Sequence, residues 1–204
     1  MHKLIYVADP MCSWCWGFST ILNEIYDAIG DAPVQYVMGG LAPDSDEKMP
    51  EETRAYIQDQ WRKVTAETGA TFNWDFWEKC TPRRSTYPSC RAVIAASRQN
   101  KTHEMFEAIQ TAYYREAKNP SDLHVLSSLA FDLGLDRDQF DADIIADSVE
   151  ADLQTGFDLR RSMHPNSFPS LILTTDDQSP VWLVKGYAEG HSVLERLREA
   201  RVSA

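Results

Sequence analysis

The chain has 204 residues, with 20 basic against 31 acidic side chains, a net charge of −11, 43% hydrophobic and 25% charged residues. That length and composition suit one soluble globular domain, or one domain carrying a large insertion. The acidic balance argues against nucleic acid and against an anionic membrane surface as partners, and no apolar run approaches the length of a membrane span.

The first predicted element is a buried strand over 3–9, "KLIYVAD", a short apolar run bounded by Asp9-Pro10. The apolar stretch Leu4 to Ala8 is too short for a secretory signal, so the start reads as a mature one and the protein as cytoplasmic. Ile21, Leu22, Ile25, Tyr26 and Ile29 recur at helical spacing, which predicts a helix over 13–29 that stops at Gly30. "VQYVMGG" (34–40) is a second strand. Strand, helix and strand with short links make a βαβ unit with parallel strands.

About a hundred residues without a convincing strand follow. Helices are predicted over 50–67, with Pro50 near the start and Gly69 closing it, then 88–99, 103–117 with Thr102 as N-cap, 121–133, 137–146 and 148–162. Asp136 and Gln139 resemble a capping box. The pattern then returns to strands at 170–174 and 181–185, with "TDDQSP" as the turn between them. Ser192 and Glu195 read as the capping box of a last helix. The order is β-α-β, a helical block, then β-β-α.

Two of the four cysteines, Cys12 and Cys15, are three residues apart at the predicted start of the first helix. Two thiols at that spacing hold a metal or do redox chemistry. In the cytoplasm a structural disulfide is not expected. A helix start favours a thiolate, because its N–H groups are unpaired and carry partial positive charge. Cys12 is therefore expected to be the acidic nucleophile and Cys15, one turn inside, the resolving thiol. Ser13 and Trp14 lie between them, and Trp14 and Trp16 supply apolar surface.

A zinc site needs two more ligands at compatible spacing. Cys80 and Cys90 form no knuckle, and His2, His103, His124, His164 and His191 are scattered, so no metal is expected. Cys80 and Cys90 read as buried apolar thiols. The acids between Asp132 and Asp152 lack the glycine of a calcium loop and read as a solvated helical face. Trp61, Trp74 and Trp77 read as core or cleft-lining residues. Arg83-Arg84 read as solvated, with an anionic group such as a glutathione carboxylate as the alternative; His164 reads as a loop residue.

With "DPMCSWCWGF" (9–18), "STYPSCRAVIAA" (85–96) and "NSFPSLIL" (166–173) in this order, the chain resembles the DsbA family of the thioredoxin superfamily, in its FrnE-like branch. The resemblance implies an α/β thioredoxin-like fold made of 1–45 and 164–204, with a large all-helical insertion over 46–163. It implies a cis Phe168–Pro169 bond opening the third strand beside the CxxC, with Phe168 and Pro169 as a docking edge where an extended substrate pairs by strand addition. Such a loop also hinders metal capture by the two thiols.

The implied activity is thiol–disulfide exchange with protein or peptide substrates, and glutathione is a candidate small thiol; no cofactor is implied. The direction of exchange is not fixed by sequence, because family potentials span about −270 to −120 mV. The 2-hydroxychromene-2-carboxylate isomerases and kappa-class glutathione transferases share the architecture and act with glutathione on small aromatic substrates. They typically carry Ser at the nucleophile position, and Cys12 weighs against them. The sequence does not identify a proton acceptor for Cys15.

Overall fold

A computed structural model describes residues 3–164, 167–175 and 178–202. Among the described residues one four-stranded sheet is packed by ten helices. The strands are β1 (Lys3–Ala8), β2 (Val34–Met38), β3 (Ser170–Thr175) and β4 (Gln178–Lys185), in the order β2-β1-β3-β4. β1 pairs parallel with β2 and antiparallel with β3, and β3 pairs antiparallel with β4. The chain is thus a thioredoxin-like fold with a helical block between β2 and β3.

The unbroken apolar run of β1 follows from burial on both faces of the sheet. Leu4, Tyr6 and Ala8 enter the larger core, while Ile5 and Val7 join Val37 and Ile172 on the other face. That second face is covered by Leu159 and Met163 of a long helix, α9 (Asp147–Met163). Segments 1–45 and 164–204 contribute all four strands. The larger core nevertheless draws on both parts of the chain, from Leu22 and Ile25 to Met105, Ile109 and Leu126.

The helix expected over 13–29 is two helices, α1 (Ser13–Gly17) and α2 (Ser19–Ile29), interrupted at Phe18. The break lies where the chain is crowded. Phe18 is fully buried, and a Cβ on Gly17 would stand 2.8 Å from Val64 Cγ1 on α3 (Glu51–Thr68). Pro50 is the N-cap of α3 and Gly69 its C-cap.

A single-turn helix, α4 (Phe76–Lys79), follows, which the sequence pattern does not predict because one turn carries no periodicity. The remaining helices are α5 (Tyr87–Ser97), α6 (Thr102–Tyr114), α7 (Leu123–Asp132), α8 (Arg137–Asp143) and, after β4, α10 (Gly190–Val202).

Three capping expectations have different outcomes. Asp136 caps α8, and its Oδ1 accepts from the Gln139 N–H at 3.0 Å. Thr102 is the first helical residue of α6 rather than its cap, which is Lys101. Ser192 lies inside α10, which begins at Gly190, so the expected capping box does not mark that helix start. β4 begins at Gln178, earlier than the expected 181. The turn expected at 175–180 falls partly on residues 176–177, outside the described residues, as do Pro165 and Asn166.

The acids near α8 and α9 are engaged with arginines. Asp143 and Asp152 meet Arg98, and Glu150 meets Arg91. A second core cluster lies under the start of α1. Trp61 is its centre, with six aromatic rings, Phe72, Trp74, Phe76, Trp77, Tyr113 and Tyr114, at centroid distances of 4.8–6.0 Å. Met11 packs in the same cluster, next to the first cysteine.

Candidate active site

Asp9 follows the last residue of β1 and sets the loop that carries the cysteines. Its Oδ1 accepts from the Met11 N–H (2.8 Å), and its carbonyl accepts from the Cys12 N–H (3.0 Å). Its Oδ2 accepts from the Leu41 N–H (2.8 Å), the Thr86 hydroxyl (2.7 Å) and the Cys90 thiol (3.6 Å). The carboxyl is fully buried, and burial pushes its pKa up against the lowering effect of those donors. Sequence reading missed this residue. The available signal was an acid directly after the apolar run Leu4 to Ala8.

Cys12 is the N-cap of α1 and Cys15 lies one turn on. Cys12 is 6% exposed and Cys15 1%. Neither is in a disulfide. Burial pushes the Cys15 thiol well up, and its hydrogen bond with Cys12 adds to this. The pair is thus asymmetric, with one thiol at the surface of a cavity and one sealed behind it.

That cavity, of about 400 Å³, is lined by Cys12, Ser13, Trp14 and Phe168 among others. The consecutive residues Cys12, Ser13 and Trp14 are therefore brought together with Phe168, which is distant in sequence. Trp14 donates its indole N–H to Gln60 Oε1 at 3.3 Å, and its ring lies 5.5 Å from that of Tyr187. Trp16 faces elsewhere, stacked 5.6 Å from Tyr114 and donating to the Thr71 carbonyl at 3.1 Å.

The Phe168–Pro169 bond is cis. Pro169 is buried and is not part of the cavity wall; its carbonyl accepts from the Gly186 N–H at 2.8 Å. His164, the C-cap of α9, is exposed and does not line the cavity. Cys90 is fully buried, and burial pushes its thiol well up. Cys80 is half-buried and donates to the Ala117 carbonyl at 3.1 Å. The adjacent arginines are separated: Arg83 is bonded to Asp122, whereas Arg84 lines the cavity. Tyr56, Gln60 and Arg160 also line it, and none of them carries a local sequence signal, because they are single positions on long helices.

Gly39 has no side chain for a steric reason. A Cβ there would lie 2.2 Å from Phe168 Cζ. Gly39→Ala is expected to displace the Phe168 ring, cost about 1–3 kcal/mol as overpacking does, and slow thiol–disulfide exchange. Urea denaturation and an insulin-reduction assay would measure both; an alanine variant equal to wild type in both would show that the ring does not need this gap.

The family described as thioredoxin matches residues 5–194 of the chain. Among solved structures, the chain resembles that of a proposed protein disulfide isomerase from Nitrosomonas europaea, at 28% identity and a TM-score of 0.88, covering 99% of this chain and 98% of that one. It also resembles the cytosolic disulfide reductase DsbM from Pseudomonas aeruginosa, at 25% identity and a TM-score of 0.80, covering 98% of each. Among curated relatives, the ClpXP adapter protein SpxH of Bacillus subtilis is 22% identical over 172 residues, 83% of this chain. The chain spans 57% of the length of that relative.

Proposed function

The chain belongs to the thioredoxin family, as a DsbA-type member of that superfamily, and on that premise we propose that it is a thiol–disulfide oxidoreductase in which Cys12 is the nucleophile and Cys15 the resolving thiol. The observation that carries this reading is the asymmetry of the pair: Cys12 lines a cavity, and Cys15 is sealed one helical turn behind it.

In the oxidising direction for the protein, the Cys12 thiolate attacks one sulfur of a substrate disulfide. An S–S bond forms to Cys12, and the other half leaves as a thiolate that takes up a proton. Cys15 then attacks the Cys12 sulfur, its proton passing to the second departing thiolate. Two electrons and two protons move from the cysteine pair to the substrate, and the reverse sequence reduces the pair. Ser13, Trp14 and Phe168 form the surface on which the substrate rests, and Pro169 holds Phe168 at the mouth of β3.

Protein and peptide thiols and disulfides are the proposed substrates, with glutathione as a small thiol of the same class. The adapter role of the Bacillus relative supports protein partners, and the cytosolic location of the Pseudomonas protein supports a cytoplasmic site of action. A glutathione-dependent isomerase or transferase acting on small aromatic substrates would leave Cys15 without a task.

Alkylation against pH tests the assignment. A burial-raised Cys15 stays protonated through the ordinary thiol range, so its rate stays low until the pH is well above that range. Cys12 is expected to be labelled first near neutral pH, at least about 10-fold faster than Cys15, as read by peptide mass mapping. Equal rates at the two positions, or Cys15 reacting first, would reverse the roles.

A further inference from the structure

Two charged side chains stand in the wall of the cavity beside Cys12, Arg84 and Arg160, and among the described residues no carboxylate accompanies them. In a chain with 31 acidic against 20 basic residues, this is a local reversal of sign. Several other arginines meet acids: Arg83 with Asp122, Arg91 with Asp44 and Glu150, Arg98 with Asp143. Among the described residues neither Arg84 nor Arg160 forms an ion pair.

Arg160 is also held in place. Its Nη1 donates to the Gly39 carbonyl at 2.7 Å, and its guanidinium lies 5.8 Å from the Phe168 ring centroid. A guanidinium fixed in this way keeps its remaining N–H groups ordered for a planar acceptor, which is the geometry that binds a carboxylate through two parallel bonds. Arg84 is half-buried, and its charge acts on the nearby Tyr113. The cavity volume of about 400 Å³ lies in the range of small-molecule pockets, so a small thiol or disulfide fits within it.

We propose that this cavity selects low-molecular-weight thiols and disulfides that carry carboxylates, with Arg84 and Arg160 receiving the carboxylates while a substrate sulfur meets Cys12. The proposal rests on the thiol–disulfide reading of Cys12 and Cys15. Its step is the same exchange: one substrate S–S bond breaks, the Cys12–Cys15 bond forms by way of a mixed disulfide, and two carboxylate-bearing thiols leave with the two protons. The arginines take no part in bond making; they decide which disulfide is held long enough to react.

Three disulfides of similar size and different charge test this: 3,3′-dithiodipropionate, 2-hydroxyethyl disulfide and cystamine, anionic, neutral and cationic. Second-order rates of oxidation of the reduced protein would be compared as ratios, because a change in the intrinsic reactivity of the thiol moves all three together. Wild type is expected to prefer the anionic disulfide. Arg84→Gln should lower the anionic-to-cationic ratio about 10-fold, the size of one charge-assisted hydrogen bond. Arg84→Glu should lower it further and favour cystamine, and Arg84→Lys should restore most of the ratio. These Arg84 variants break no hydrogen bond among the described residues, so they are the deciding ones; Arg160→Gln, which also loses the Gly39 bond, is secondary.

A ratio that stays within about twofold of wild type in Arg84→Glu, in a protein that all three disulfides oxidise, overturns the selection and leaves the redox reading standing. If no disulfide oxidises the Cys12–Cys15 pair in wild type, the redox reading fails and this proposal with it.

Discussion

Cys12→Ser is expected to lower thiol–disulfide exchange on the order of 1,000-fold or more, because it removes the atom that forms the covalent intermediate. Cys15→Ser should behave differently. Cys12 still faces the cavity and still forms the first bond, but no second thiol displaces the substrate, so mixed disulfides accumulate. Insulin reduction measures the first effect, and non-reducing electrophoresis with mass spectrometry measures the second. A Cys12→Ser variant that keeps a tenth of the wild-type rate would remove Cys12 from the nucleophile role. If it kept activity with glutathione and an aromatic substrate, the isomerase or transferase reading would replace the oxidoreductase.

The second large effect concerns stability. Trp61→Ala is expected to cost about 3–5 kcal/mol, the usual cost of emptying a large buried aromatic site. Trp61 has no exposed surface and stands among six rings, so neighbouring side chains cannot all close on the space at once. Its indole N–H is buried without a hydrogen-bond partner among the described residues, so Trp61→Phe loses volume but also removes an unsatisfied donor. That variant should lose clearly less than the alanine. Because Met11 packs in the same cluster, the cysteine loop loses its backing in Trp61→Ala, and activity should fall at a lower temperature than in wild type. Urea denaturation gives the free energies; a loss below about 1.5 kcal/mol for the alanine would show that the cluster collapses around the gap.

Where the chain was readable from sequence, a local pattern carried the information. The run 4–8 is apolar at successive positions because both faces of β1 are covered, and the pairing of Cys12 with Cys15 is visible as spacing alone. The break at Phe18 was not readable, because it depends on how closely α3 approaches Gly17, some fifty residues away in the chain. Thr102 and Ser192 are good capping residues, but each lies within its helix rather than at its cap. The proposed site divides in the same way. Cys12, Ser13 and Trp14 belong to one short motif, and Phe168 was reached through a resemblance. Gln60, Arg84 and Arg160 share the cavity only because α3, α9 and the segment before α5 converge there. Asp9 was in plain view as the end of a strand, but its importance lies in donors from residues 41, 86 and 90.

The hydrogen bonds of Asp9 and the position of β1 have a consequence for the order in which the polypeptide is made. The cysteine loop emerges before the hydroxyl and thiol that complete the Asp9 shell, which arrive with Thr86 and Cys90. β1 is an inner strand whose second neighbour, β3, begins only at Ser170. A nascent chain therefore carries both thiols until Ser170 has been made, and only then can the sheet close beside them. Such distant pairing is the kind that slows folding and leaves intermediates exposed. The thiol pair is made well before the residues that complete its environment, so for that interval it has neither its full sheet nor its full hydrogen-bond shell.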